Sequence, residues 1–243
     1  MSTMLRDAIR VIHADKYWWK AVGIAGLCAT TLIGYPIAAG LVIEHLDNTR
    51  KGFDRPLPPF VDWSTRWLIG FFAVLIEFVF YVMPTLVAFL LFFCFGLTMV
   101  VQQQSGDVVV LWTFGGILLA WWLFMFLCGV SPIARLIYVD DSGTERSMGG
   151  MPIREAFRPG ARGRYFSARL QSVPLYIIPA ILLFAIPMVI DLGGVMAWLL
   201  GPLVIWLFWS SLVYAHLVVM QLYHRVDLQL EAAQLTRAPY EGV

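Results

Sequence analysis

Residues 64–104 form an apolar run of about forty positions with few polar interruptions. As one straight helix such a run would extend about 60 Å, roughly twice the ~30 Å hydrocarbon core of a bilayer. It therefore has to break. Pro84 is the obvious place, because proline removes a backbone donor and crowds the preceding turn. Two arrangements follow. Either 64–82 lies along or dips into an interface while 84–103 crosses, or both segments cross as a hairpin.

Composition sets the solvent. Of 243 residues, 60% are hydrophobic and 14% charged, against about 45–50% and about 25% in a soluble domain. Water is a poor solvent for that much apolar surface. The reading is an all-α, polytopic helical membrane protein of the cell membrane with about five or six spans, whose first partner is the lipid bilayer. A net charge of +1 and no long basic tract exclude nucleic-acid binding, which needs a dense basic footprint. Cys28, Cys94 and Cys128 are scattered in apolar stretches. They build neither a disulfide framework nor a metal quartet and read as small packing residues. The first apolar run, 21–43, exceeds the about 7–15 residues of a signal-peptide core, so it is expected to remain as a membrane helix.

Along the chain, residues 1–20 read as an amphipathic interfacial segment. Leu5, Ile9, Ile12 and Trp19 recur at roughly helical intervals among Arg6, Arg10, Asp15 and Lys16. Residues 21–225 form a single helical membrane domain. Its first span, 21–45, carries Gly26, Thr30, Gly34 and Ala38 every four residues, a stripe of small residues that admits a neighbouring helix. Pro36 is expected to kink that helix. Further spans cover about 108–131, 170–190 with Pro174, Pro179 and Pro187, and 195–224. A charged segment at 139–169 reads as a solvated connector, and 226–243 as a polar tail that begins helical.

The chain also repeats itself. Pro-Ile-Ala at 36–38 returns at 132–134, and Tyr-Val-Met-Pro at 81–84 returns as Tyr-Ile-Ile-Pro at 176–179. Pro58 and Trp63 match Pro152 and Phe157, and Glu44 matches Asp140. The offset stays near 95, which sets repeat units of about 21–104 and 117–190. The arginines of 140–169 point to the cytoplasm, while 102–107 and 191–194 carry no Lys or Arg. A parallel repeat then puts the 47–63 loop inside and the N-terminus outside, against Arg6, Arg10, Lys16 and Lys20. Six spans with inverted halves would remove that conflict.

Two residues stand out for chemistry. Glu77 is an ionisable group in an apolar helix, on one face with Arg66, Gly70, Ala73 and Tyr81. It is the polar intramembrane candidate, with a transport role if the repeats form a pathway; its counterpart, Ser172, is no carboxylate. His216, in the last helix, is the candidate cofactor ligand, for a haem or chlorin, or a proton relay. The same imidazole is as readily a hydrogen-bonded packing residue, and the sequence requires no cofactor. Asp140 and Asp141 with nearby arginines could hold a metal or phosphate, or lie in a solvated connector. No metal is assigned, and no His-Glu-x-x-His element, phosphate loop or nucleophile elbow appears, so no catalytic residue is assigned.

The stretch 34–63 followed by 70–84 resembles an uncharacterised prokaryotic membrane family, domain of unknown function 4013. Gly34, Tyr35, Pro58, Asp62, Trp63, Gly70, Tyr81 and Pro84 carry the likeness. It is strong over about 21–90 and becomes a patterned hydrophobic likeness through 132–225. The resemblance implies a multi-span helical protein and no reaction. The expected function is non-enzymatic: helix packing, lipid association, or an accessory subunit of a homo-oligomer or larger bioenergetic complex. The alternative is a small transporter using the repeat interface and Glu77.

Overall fold

The computed structural model describes residues 3–31, 33–101, 107–141 and 144–235. Among them the chain is helical and contains no strand. The 102–106 connection and the tail beyond Leu235 lie outside the described residues.

Helix α1 (Thr3–His13) buries Leu5, Ala8 and Ile12, a spacing of three and four that makes one face. That face packs on the long last helix α12 (Gly194–Leu235). Asp7 pairs with Arg225 at 3.1 Å, and His13 Nε2 meets the Tyr214 hydroxyl at 3.2 Å.

The expected single kinked span at 21–45 is instead two helices, α2 (Trp18–Ala29) and α3 (Tyr35–Arg50). Thr30 and Thr31 turn their hydroxyls onto the carbonyls of Leu27 and Cys28, at 2.7 and 3.0 Å, and end α2. Thr31 Oγ1 also accepts the Gly34 amide at 3.0 Å. Pro36 stands in the first turn of α3, where its missing N–H costs nothing, so it starts a helix rather than kinking one. The small-residue stripe is divided accordingly. Gly26 lies against Ser210 of α12, and Gly34 against the Cys28 carbonyl.

Helix α4 (Trp63–Glu77) continues through a π-helical turn (Phe78–Val82) into α5 (Met83–Val101). Pro84 therefore does not make a hairpin. The widened turn absorbs it: the Met83 amide reaches back to the Phe78 carbonyl, and Thr85 Oγ1 donates to the Tyr81 carbonyl at 2.6 Å.

Helix α6 (Asp107–Cys128) meets α7 (Val130–Asp141) at a 47° bend. Gly129 makes the bend with φ +65°, and a side chain there would strike the Tyr223 ring. Short helices α8 (Thr144–Met148) and α9 (Met151–Ala156) lead to α10 (Arg162–Ser172). A 3-10 turn (Val173–Tyr176) joins α10 to α11 (Ile177–Asp191), which is followed by α12.

The second half of α12 is the spine of the core, with Leu217, Val218, Leu222 and Tyr223 inaccessible to solvent. Along it, Tyr35 meets Trp209, His45 meets Gln221, and Arg50 pairs with Asp227. Helix α3 therefore runs parallel to α12, whereas the α1 contacts run the opposite way. The beginning of α1, the end of α3 and, through an Arg50–Asp140 ion pair, the end of α7 share one end of the molecule. The opposite end is apolar and uncovered; Trp198 is 82% exposed.

Three helical stretches are long and apolar enough to cross a membrane: Trp63–Leu91, Arg162–Asp191 and Gly194–Ala233. The bent α6–α7 pair makes a fourth if it counts as one span.

Candidate functional site

The site is built on the α3–α4 pair. Asp62 caps α4, accepting the Thr65 amide at 3.1 Å and the Ser64 hydroxyl at 3.0 Å. Gly40 and Gly70 let the two backbones touch. A Cβ on Gly70 would overlap the Pro36 carbonyl. Arg66, 2% exposed, clamps the pair from inside: Nε and Nη2 bind Glu44 at 2.9 and 2.7 Å, and Nη2 also reaches the Pro59 carbonyl at 2.7 Å. Its guanidinium lies 4.6 Å above Phe60, which also packs on Trp63. Pro58 is half-buried in the same connection.

Glu77 follows Arg66, Gly70 and Ala73 on the inner face of α4. There the Tyr35 hydroxyl donates to its carboxylate at 3.1 Å, and the Arg135 guanidinium of α7 pairs with it. The pair borders a cavity of about 300 Å³ lined by residues of α4, α6, α7, α10 and α12 and of the π and 3-10 turns. Glu77, Tyr81, Trp122, Arg135, Arg169 and His216 supply its polar groups. Glu77 and His216, singled out separately in the sequence, line the same space. The Tyr176 ring stands edge-on to the His216 imidazole, with centroids 6.2 Å apart.

Arg169 is the largest departure from the sequence reading, which left it in a solvated connector. It is 5% exposed. Packing of α10 on α6 buries it: Nε donates to the Phe126 carbonyl at 2.8 Å, and the guanidinium sits 3.6 Å from the Phe126 ring centroid. Nη1 reaches the Tyr176 hydroxyl at 3.4 Å. Among the described residues no carboxylate pairs with Arg169. Arg135, 3% exposed, was missed altogether. Its signal was a charge between apolar neighbours, four residues after Ser131 and ahead of the two aspartates that end α7.

The other candidates have local duties. Gly34 precedes α3, and Pro84 lies in the first turn of α5. Asp140 pairs with Arg50, and the side chain of Asp141 lies outside the described residues. Among the described residues no trio of His, Cys, Asp or Glu is placed to hold a metal ion.

A family profile described as Protein of unknown function (DUF4013) matches residues 24–201. The chain belongs to this family. The matched segment holds Tyr35, Glu77, Arg135 and Arg169 and stops short of His216, so the DUF4013 region contributes most of the cavity but not its α12 wall. No curated protein and no solved structure matches the chain.

Proposed function

We propose that this is a non-enzymatic integral membrane protein that holds an amphiphile in the Glu77–Arg135–Arg169 cavity. The observation that carries this reading is the cavity's setting. Glu77 stands inside the apolar helical run that begins at Trp63 and continues into α5, and exposed Val82 and Trp122 flank the cavity's mouth. A polar chamber opening sideways through an apolar surface suits a molecule with a polar head and an apolar body.

Four crossings follow, fewer than the five or six first expected: Trp63–Leu91, the α6–α7 pair, Arg162–Asp191 and Gly194–Ala233. Helices α1–α3 go down along α12 and come back, so the N-terminus and the 51–62 connection share one side. That side also receives the arginines of 146–164 and the end of α12. The 102–106 and 192–193 connections have no Lys or Arg. Arg6, Arg10, the 51–62 connection and the arginines of 146–164 are then cytoplasmic, while Lys16 and Lys20 flank Trp18, which packs farther along α12 on Tyr214.

The duplication is parallel in this arrangement, since α3 and α7 both run toward the basic side. The two Tyr-x-x-Pro tyrosines, Tyr81 and Tyr176, line one cavity, and so does Ser131, the counterpart of Tyr35. The site sits where the halves meet.

Two experiments test this reading. Cysteines introduced at Asp54 and Gly193, in a chain lacking its native three, are labelled from opposite sides of sealed vesicles. Labelling from one side contradicts the topology. Protein purified in mild detergent retains about one amphiphile per chain by mass spectrometry. Protein that retains none, and takes none from vesicles, contradicts the binding role.

A specific feature favours transport as a second reading. Irregular turns adjoin the cavity in both halves, the π turn after Glu77 and the 3-10 turn before Tyr176. Such turns are common at functional hinges. Glu77→Gln then abolishes flux in proteoliposomes while leaving the fold intact; unchanged flux rejects that role for Glu77.

A further inference from the structure

We infer that the cavity recognises the anionic headgroup of an amphiphile, a phosphate or carboxylate, and that Arg169 is its anchor. The inference rests on the amphiphile-binding reading above and adds the charge of the ligand and the residue that reads it.

Charge balance is the first argument. The lining contains two guanidiniums, Arg135 and Arg169, and one carboxylate, Glu77. Glu77 is already engaged by Arg135. That leaves Arg169 as a positive group, 95% buried, with no carboxylate paired to it among the described residues. An uncompensated charge in an apolar interior is unfavourable. A bound anion removes that penalty.

The geometry of Arg169 is the second argument. A guanidinium has five N–H donors in a planar fork. Nε is used by the Phe126 carbonyl, and Nη1 makes only a long contact with the Tyr176 hydroxyl. The Phe126 ring beneath the guanidinium fixes its plane. The remaining donors belong to a rigid group that borders the cavity. A fixed fork of this kind suits bidentate recognition of phosphate or carboxylate.

Shape is the third argument. A cavity of about 300 Å³ is at the small end of ligand pockets. It suits a headgroup better than a whole lipid. Val82 and Trp122 are exposed at its rim, so acyl chains would leave there along the outer faces of α5 and α6. Tyr81 and His216 add polar groups around the head. A quaternary ammonium head would meet the surplus guanidinium, and a neutral head would leave it uncompensated.

The test uses the full chain, delipidated in a neutral detergent. It is titrated with micelles doped with phosphatidylglycerol or with diacylglycerol, which has no anionic group, and, separately, with inorganic phosphate. Native mass spectrometry reads occupancy, and circular dichroism of each sample reports folding. The wild-type chain is expected to bind about one phosphatidylglycerol, saturably, and at least about tenfold more tightly than diacylglycerol. Arg169→Gln is expected to weaken phosphatidylglycerol binding about tenfold or more. Arg169→Lys should fall between the two, since it keeps the charge and loses the fork. Val82→Trp narrows the mouth without touching a polar group and is also expected to weaken binding.

Equal affinity for the two lipids, or an unchanged affinity in Arg169→Gln, overturns the anionic assignment but leaves the amphiphile reading standing. Inorganic phosphate bound as tightly as phosphatidylglycerol assigns the site to a free anion and overturns the amphiphile part. Loss of all lipid binding in the wild-type chain overturns the underlying reading itself. If Arg169→Gln fails to fold, Val82→Trp decides, and an unchanged affinity there overturns the inference.

Discussion

Arg66–Glu44 and Arg135–Glu77 are the same kind of ion pair at almost the same depth. Their arginines are 2% and 3% exposed, and their carboxylate side chains 21% and 23%. Their surroundings differ. Around Arg66 every charge has its match: Glu44 holds the guanidinium, the Pro59 carbonyl takes a further donor, and nearby Asp47 binds Lys51 at 2.5 Å. Around Arg135 an extra guanidinium, Arg169, shares the cavity without a carboxylate of its own among the described residues. Neither burial nor adjoining empty volume distinguishes the two pairs, since Glu44 also borders a cavity of about 330 Å³. The local sum of charge does.

The largest expected effect breaks the structural side of that comparison. Gly70→Val drives a side chain into the Pro36 carbonyl and the Gly40 amide, which cannot move without separating α3 from α4. The Arg66–Glu44 pair and the Tyr35–Glu77 hydrogen bond depend on that contact, so a loss of about 3 kcal/mol or more is expected. The monodisperse peak in detergent should disappear. Gly116→Val, where nothing lies near the added Cβ, is the control and should behave as wild type.

The next pair of substitutions separates the two roles. Glu44→Gln leaves the Arg66 charge buried and partly unsatisfied, at a cost of about 2 kcal/mol. It should lower the melting temperature and leave lipid binding unchanged. Glu77→Gln should destabilise by a similar amount and tighten phosphatidylglycerol binding roughly threefold to tenfold, because it releases a second guanidinium to the ligand. If both variants change lipid binding alike, the distinction between the two pairs fails. Tyr35→Phe removes one neutral donor from Glu77 and should cost about 1 kcal/mol by thermal unfolding.

The smallest effect concerns the cap of α4. Hydrogen bonds from the Thr65 hydroxyl and amide, and from Ser64, hold the Asp62 carboxyl below its usual value. A depressed carboxylate stabilises the fold above its ordinary value of 3.8 and loses that contribution as pH falls through its own lower value. Asp62→Ala should therefore melt slightly below wild type at neutral pH, with the gap closing only under acid conditions. Asp62→Asn, which keeps the cap oxygen, should sit between them. A gap that persists in strong acid would show that the carboxylate charge is not what matters.

Much of this was legible in the sequence because it depends on periodicity. Arg66, Gly70, Ala73, Glu77 and Tyr81 fall on one face by helical arithmetic alone, and the structure turns the first three inward. What a proline does was less legible. Pro36 and Pro84 each suit a kink, a break or a helix start, and hydroxyls from other residues decided among these: Thr30 and Thr31 end α2, while Thr85 supports the turn that carries the helix past Pro84. Arg169 was hidden for another reason. Several arginines precede it in a polar stretch, and nothing local separates it from them. Only the distant partner Phe126 does so.

The most direct measurement is the density inside the cavity of this protein imaged in a bilayer made with anionic lipid. The account predicts a headgroup against Arg169, with acyl chains leaving between Val82 and Trp122. A cavity holding only water, with lipid confined to the outer helix faces, would contradict it.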